Sequence, residues 1–178
     1  MRIIPNFDLT PNISFYEYME GTLPSQAIKW NWDFFSSISE KEQGEFIGRA
    51  RKVAKEVQKE RDFLNDTYKN ENKGEEFTII MSCGFRCKRW ELYRNRSGKG
   101  QHPIAAIDFK IGSTSIELSA KMIKVIYDRR YKTWMGGFAI KTPTFKKSKM
   151  INSGFIHFDN RYPNREEKQR GWGTRWKY

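Results

Sequence analysis

Cationic and aromatic side chains alternate in three segments of the chain, 85–96, 127–134 and 161–178. Cations neutralise phosphates, and flat rings stack on nucleobases at about 1–3 kcal/mol per base, so single-stranded nucleic acid is a ligand that uses both groups. The pattern therefore predicts a nucleic-acid-binding surface of low base specificity, formed by these segments and the neighbouring lysines. Its predicted members are Arg86, Lys88, Arg89, Tyr93, Arg94, Arg96, Lys99, Arg129, Arg130, Lys132, Lys146, Lys147, Lys149, Arg170, Trp172, Arg175, Trp176 and Lys177.

The charge distribution favours the same partner. The 178 residues include 33 Lys and Arg against 21 Asp and Glu, a net charge of +12. Residues 1–79 carry a net charge of −3, whereas residues 80–178 carry +15. Such an asymmetry concentrates positive potential on one part of a molecule and is typical of polyanion sites. A solvated basic face and an acidic protein partner are the alternatives to nucleic acid. The charge distribution does not distinguish DNA from RNA.

A second group of residues suggests metal-dependent chemistry. Asp108 and Lys110 form an acid-x-lysine triplet on a predicted strand, whose alternation places both on one face. Glu91, on the preceding predicted strand, offers another carboxylate. With a predicted order of helix, three strands, helix and strand over residues 40–142, the arrangement resembles the core of the PD-(D/E)xK nucleases. The resemblance implies that acids such as Glu91 and Asp108 hold Mg²⁺ while Lys110 helps to activate water. An Mg²⁺-dependent nuclease is thus the alternative function, and otherwise no cofactor is predicted.

The chain has two cysteines and two histidines, Cys83, Cys87, His102 and His157. Four such side chains suffice for a tetrahedral zinc site. Their spacing, C-x₃-C-x₁₄-H-x₅₄-H, matches no common zinc finger, and Cys83 continues the apolar alternation of its strand as a buried free thiol would. We therefore predict no metal site and, in a reducing compartment, no disulfide.

Two helices must support these groups. Ser39 and Glu42 have the spacing of a capping box, and the apolar residues that follow line one face of a helix over about 40–69. Thr114 and Glu117 predict a second capping box and a helix over 115–131.

The remaining pattern is typical of strands. Alternation predicts strands over 77–83, 89–93, 104–111, 138–142 and 155–158, with residues 84–86 as a hairpin link and 143–153 as a basic loop. The predicted fold is α+β, a mostly antiparallel sheet of about five strands flanked by a long N-terminal helix and a second helix.

The domain prediction is a single domain over residues 1–160 followed by a basic, tryptophan-containing tail over 161–178. Residues 1–35 combine prolines with many aromatic side chains, so we expect an irregular packed segment. That segment is a candidate docking site for a protein partner, which makes a small inhibitor or assembly protein the second alternative function. The N-terminus has no signal-peptide pattern and no stretch reaches the ~18 apolar residues of a membrane span, so a cytoplasmic protein without a membrane partner is predicted. A homodimer is left open.

Overall fold

The computed structural model describes residues 6–95, 102, 104–134 and 136–159, together with the backbone of 175–177. Its elements are, in chain order, β1 (Asp8–Thr10), β2 (Ile13–Ser14), α1 (Phe15–Glu20), α2 (Ser25–Ser37), α3 (Glu40–Tyr68), a 3₁₀ turn (Lys69–Asn72), β3 (Thr78–Cys83), α4 (Lys88–Tyr93), β4 (Ala106–Gly112), α5 (Ile116–Arg130), β5 (Phe138–Lys141), β6 (Thr144–Lys146), β7 (Lys149–Asn152), β8 (Phe155–Asp159) and β9 (Arg175–Lys177). The predicted α+β class is confirmed.

Five strands form the main sheet in the order β3-β4-β8-β5-β9. Neighbouring strands are antiparallel except β5 and β9, which are parallel. One face of the sheet carries large apolar side chains such as Phe109, Phe138 and Phe158, which belong to the same hydrophobic core as residues of α3 and α5. The core therefore lies between the two long helices and this face.

The long helix α3 confirms the prediction from its capping box. The Ser39 hydroxyl accepts the Glu42 N–H, and the Glu42 carboxylate accepts the Ser39 N–H. The Ser39 hydroxyl also donates to the Glu42 carboxylate at 2.7 Å, and this bond, together with the one from the Ser39 N–H, lowers the pKa of Glu42. Helix α5 also lies where it was predicted, but its N-cap is Ser115, whose hydroxyl accepts the Leu118 N–H. The predicted capping box between Thr114 and Glu117 is therefore wrong: the N-cap is one residue later, and its partner, Leu118, has no carboxylate to complete a box.

The prediction of an irregular segment over 1–35 is wrong, because residues 8–37 contain a small hairpin and two helices. Ser14 and Glu17 form a capping box at the start of α1. Pro24 stands at the N-cap of α2, where its missing N–H costs nothing. Pro11 and Pro24 therefore stand at element boundaries, and aromatic residues such as Phe15 and Phe35 are buried in the core.

The predicted strand over 89–93 is also wrong, because these residues belong to helix α4. The buried Asn31 amide of α2 donates to the Phe85 and Met19 carbonyls and accepts the Cys87 N–H. These bonds hold residues 85–87 in a turn that leads into α4 instead of a second strand. Between α3 and α5 the described residues contain two strands, not three, so the predicted order over 40–142 that resembled PD-(D/E)xK nucleases is not observed.

Two further predictions are corrected near the C-terminus. The predicted basic loop over 143–153 contains the hairpin β6–β7, whose turn residues Lys147 and Ser148 both have positive φ, 47° and 61°. The predicted tail over 161–178 ends in β9, which joins the sheet because the free edge of β5 accepts a parallel strand. Residues 160–174 and 178 lie outside the described residues.

Candidate functional site

One row of residues crosses the sheet face opposite the hydrophobic core. Cys83 lies opposite Asp108, Asp108 opposite His157, and His157 opposite Ala139. Directly opposed residues of paired strands project on the same face, so three groups able to bind ions come together. A register shift between Met81 and Cys83 places Cys83 in this row. The prediction that Cys83 continues the apolar face is therefore wrong, and Cys83 is absent from the hydrophobic core cluster.

Four side chains form what we call the histidine–aspartate cluster: His102, Asp108, His157 and Asp159. His157 Nδ1 lies 2.7 Å from Asp108 Oδ1, and its Nε2 lies 3.1 Å from Asp159 Oδ2. His102 Nε2 lies 3.2 Å from Asp108 Oδ2, and its Nδ1 lies 2.5 Å from the carbonyl oxygen of Gly84. No member is more than 8% exposed, so these contacts are shielded from water.

The hydrogen bond to the Gly84 carbonyl identifies one protonated nitrogen of His102. The Gly84 carbonyl can only accept, so His102 Nδ1 carries the donated proton. His102 Nε2 is close to Asp108, but the geometry is not that of a hydrogen bond, and this buried atom has no hydrogen-bond partner among the described residues. Asp159 is held by a second contact, in which its Oδ1 accepts the Gly137 N–H at 2.8 Å.

Burial and the neighbouring polar groups have opposite effects on the pKa of Asp108 and on that of His157. Burial by itself would raise the pKa of Asp108, but the neighbouring imidazoles of His102 and His157 lower it well below the usual range. Burial likewise opposes protonation of His157, whereas the hydrogen bonds to Asp108 and Asp159 raise its pKa. The cluster therefore favours an ionised Asp108 and a cation beside it.

The cluster also has the geometry of a small cation site. One ligand atom from each of His102, Asp108 and His157 lies within 4.8 Å of the others. Two imidazoles and one carboxylate form a ligand set that suits Zn²⁺ and other divalent first-row metals. The two cysteines do not complete a zinc site with the two histidines. Cys83 Sγ lies 3.8 Å from His102 Nδ1, the nitrogen that faces Gly84, and Cys87 belongs to the hydrophobic core.

Of the residues predicted for a nuclease, Asp108 and Lys110 share one strand as predicted, whereas Glu91 does not lie on a strand. Glu91 lies in helix α4, and its Oε1 is 2.9 Å from Nε of Arg86. Lys110 is half-buried on β4 opposite Ile80, two residues beyond Asp108. Both oxygens of Asp108 face imidazole nitrogens. The described contacts therefore give Asp108 histidine partners and give Glu91 an arginine partner.

A second candidate site lies where α2 meets α4, with Trp90 buried as expected for a core residue, Trp30 partly buried and Tyr93 exposed. Its three rings are Trp30, Trp90 and Tyr93: the Trp90 and Tyr93 rings stack at 5.4 Å, and Trp30 meets them edge-on at 6.2 and 5.5 Å. The Arg89 guanidinium lies 4.3 Å from the Trp30 ring centre, and that of Arg94 lies 5.8 Å from Trp90. We call these five residues, with the exposed Lys88, the aromatic–basic surface.

The three cations of this surface are not neutralised by acidic side chains of the described residues. The described residues form no ion pair with Lys88, Arg89 or Arg94 within 4.0 Å, and all three side chains are exposed. Tyr93 is 66% exposed, which is unusual for a ring that already stacks on a tryptophan. A ring and three cations are therefore presented to solvent together.

Arg129 and Arg130, predicted to bind nucleic acid, have a different partner in the structure. Arg129 Nη1 lies 2.6 Å from Glu60 Oε1, and Arg130 Nε also pairs with Glu60. Arg130 further contacts Glu56 at 3.2 Å. Glu60 is fully buried, so these ion pairs connect α5 to α3 and neutralise a buried carboxylate.

The other predicted cations are dispersed. Lys146, Lys147 and Lys149 are exposed on the β6–β7 hairpin, and Lys132 is exposed after α5. Arg96, Lys99, Arg170 and Trp172 lie outside the described residues. Arg175, Trp176 and Lys177 occupy β9, for which only the backbone is described.

Sequence reasoning missed Trp30 as part of the surface, Glu60 as a buried charge and Asp159 as a cluster member. Asp159 has a weak signal, since it follows His157 by two residues on a strand and so shares its face. Trp30 and Glu60 acquire their roles through contacts with residues 60 or more positions away. No local pattern could identify those contacts.

Comparisons of the chain with protein-family models, curated proteins and solved structures find no match. Within the described residues, no helix combines the length and apolarity needed to cross a lipid bilayer.

Proposed function

We propose that the protein binds nucleic acid with low base specificity through the aromatic–basic surface. The observation that carries this proposal is the exposed Tyr93 ring, stacked on Trp90 and bordered by Lys88, Arg89 and Arg94. Single-stranded nucleic acid has both a charged backbone and unstacked bases, so it uses cations and a ring at once.

The arrangement favours stacking over reading of base edges. The contact with Trp90 and the edge-on contact with Trp30 hold the Tyr93 ring, so it loses little conformational freedom when a base stacks on it. Phosphate contacts from lysine and arginine position a strand but carry no sequence information. Low base specificity follows from this combination.

The alternatives have less support. Glu91 lies in helix α4 and pairs with Arg86, which gives no support to its predicted role as the second Mg²⁺ carboxylate of a nuclease. The docking alternative depends on the aromatic side chains of residues 1–35. Several of them, including Phe15, Tyr18 and Phe35, are buried in the core, where they are not accessible to a protein partner. Cys83 and Cys87 are free thiols, which fits the proposed cytoplasmic location.

The test measures binding of single- and double-stranded DNA and RNA over a range of salt concentrations. The affinity of the wild type should fall steeply with salt, because phosphate contacts release counterions. Tyr93→Ala should weaken binding of single strands by about 5- to 100-fold, whereas Tyr93→Phe should retain it, since stacking needs the ring and not the hydroxyl.

Charge variants give the matched control. Lys88→Ala with Arg94→Ala should reduce the salt slope by about 1.4 for single strands, or about 0.7 for each lost phosphate contact. Lys52→Ala with Lys55→Ala removes the same charge from the exposed face of α3 and should change the slope less. Equal effects of both pairs would contradict the proposed surface, and Mg²⁺-dependent cleavage in the same mixtures would favour the nuclease alternative.

A further inference from the structure

The polar face of the sheet holds a buried nitrogen for which the described residues provide no hydrogen bond. His102 is 2% exposed, and its Nε2 is buried with no hydrogen-bond partner among the described residues. Leaving a buried polar atom unpaired costs about 1–3 kcal/mol, so native structures rarely keep one without a role. The position of Nε2 beside Asp108 suggests what that role is.

The inner nitrogens of both histidines face the same carboxylate. In the neutral imidazole, donation from His102 Nδ1 to the Gly84 carbonyl leaves the lone pair on Nε2. His157 directs Nε2 to Asp159 and Nδ1 to Asp108. Metal-ligating histidines usually donate the nitrogen that does not bind the metal to a carbonyl or a carboxylate, and here both outer nitrogens have such acceptors.

We infer that His102 Nε2, His157 Nδ1 and Asp108 form a binding site for one divalent transition metal ion, of which Zn²⁺ is the representative probe. The ligand atoms of a tetrahedral zinc ion with bonds of about 2.05 Å lie about 3.3 Å apart. His102 Nε2 lies at a similar distance, 3.2 Å, from Asp108 Oδ2, whereas His157 Nδ1 lies 2.7 Å from the other oxygen, Oδ1. The second contact needs to open by about 0.6 Å when the ion enters.

His102 Nε2 lies close to Asp108 but is not aligned for a hydrogen bond with it. This geometry is expected if both groups bind a third atom, the metal ion. Two groups that hydrogen-bond directly point at each other, whereas two ligands of one ion point at the ion. A proton between His157 and Asp108 satisfies that pair but leaves His102 Nε2 unpaired. A metal ion satisfies all three groups, and three protein ligands leave it a fourth position for water.

The ligand set also determines which metals bind. Imidazole nitrogen suits Zn²⁺, Co²⁺ and Fe²⁺, whereas Mg²⁺ strongly prefers oxygen ligands. Mg²⁺ should therefore not compete with Zn²⁺. This preference separates the site from the Mg²⁺ centre of the nuclease alternative, and the site does not depend on the proposed binding of nucleic acid.

The experiment titrates the chelator-treated, untagged full chain with Zn²⁺ by calorimetry and reads the histidine rings by long-range ¹⁵N–¹H NMR. We expect one ion per chain, with one histidine bound through Nε2 and the other through Nδ1. The two histidines are the only ones in the chain, so both signals are identifiable. Absence of saturable binding, or unchanged histidine spectra on binding, would overturn the inference.

Variants test the ligands one by one. Asp108→Asn should weaken Zn²⁺ binding by at least 100-fold, and Asp159→Asn, which removes an outer partner, by about 10- to 100-fold. Cys83→Ser should leave the affinity unchanged, and the Co²⁺ form should show no thiolate charge-transfer band. A folded Asp108→Asn variant that binds Zn²⁺ normally would contradict the site. If that variant does not fold, the NMR result on the wild type decides.

Discussion

Glu60 and Asp108 are both buried carboxylates, but they are neutralised by different cations. Glu60 on α3 pairs with Arg129 and Arg130 of α5. Asp108 on β4 lies between His102 and His157. Arginine remains protonated in proteins and has no lone pair to offer a metal, so the Glu60 network can only connect two helices. A histidine nitrogen can bind either a proton or a metal ion. The Asp108 cluster, although buried like Glu60, can therefore bind a metal ion.

The same contrast applies to the arginines. Arg129 and Arg130 are engaged with buried acid, whereas Arg89 and Arg94 lie over exposed aromatic rings without an ion pair among the described residues. All four belong to segments in which cations and aromatic residues alternate. Residue type alone therefore does not separate a structural cation from one that is available to a ligand.

The largest expected effect comes from Glu60→Gln, which removes the carboxylate that Arg129 and Arg130 share and leaves Arg130 with Glu56. Removing one partner of a buried ion pair costs about 3–5 kcal/mol, and the 40% exposure of the Arg129 side chain favours the lower end, about 3 kcal/mol. Urea unfolding measures this loss. The exposed Glu45→Gln, with its partner Arg49 4.0 Å away, should cost less than about 0.5 kcal/mol.

Zn²⁺ should still stabilise the Glu60→Gln protein as much as it stabilises the wild type, because the two networks share no residue. A Glu60→Gln protein that lost the Zn²⁺ response while remaining folded would show that the two carboxylates are not independent.

A smaller effect is expected for Gly84→Ala. A methyl group at position 84 would lie 2.4 Å from the Tyr18 carbonyl oxygen and 2.5 Å from its ring, so the backbone must shift. Overpacking of this kind costs about 1–3 kcal/mol. The shift also displaces the carbonyl that orients His102, so Zn²⁺ affinity should fall although no ligand is changed.

Gly44→Ala on α3 is the matched control for that substitution. No atom lies within 4 Å of a methyl group there, and alanine in a helix interior is favoured over glycine by about 0.5–1 kcal/mol. Thermal melting and Zn²⁺ titration of both variants make the comparison. Equal Zn²⁺ affinity in the two would show that Gly84 does not position His102.

The smallest expected effect is that of Ser39→Ala, which removes the side-chain cap of α3. Loss of such a cap costs about 1 kcal/mol. The helix carries Glu60 and no member of the histidine–aspartate cluster, so stability measured by denaturant should fall while Zn²⁺ affinity is unchanged. Ser37→Ala is the control, since that hydroxyl bonds only the Phe34 carbonyl within its own helix.

The parts of the fold that were predicted correctly depend on neighbours in sequence. The capping box at Ser39 and the apolar stripe through Phe46 and Val57 are interactions three or four residues apart, so they identify α3 without knowledge of the rest. Helix α5 and the α+β class follow from similar local periodicity. The basic character of residues 80–178 is likewise a property of composition.

Only the tertiary structure decided the identity of α4 and the membership of the two sites. Residues 89–93 alternate as a strand would, yet hydrogen bonds from Asn31, more than 50 residues away, start a helix there. A bulge in β3 moves Cys83 to the polar face, and antiparallel pairing of β4 with β8 sets His157 against Asp108. Local sequence determined which segments are helical or alternating, because those interactions span few residues. Pairing between distant segments determined which side chains meet, because many registers fit the same alternation and only packing selects one.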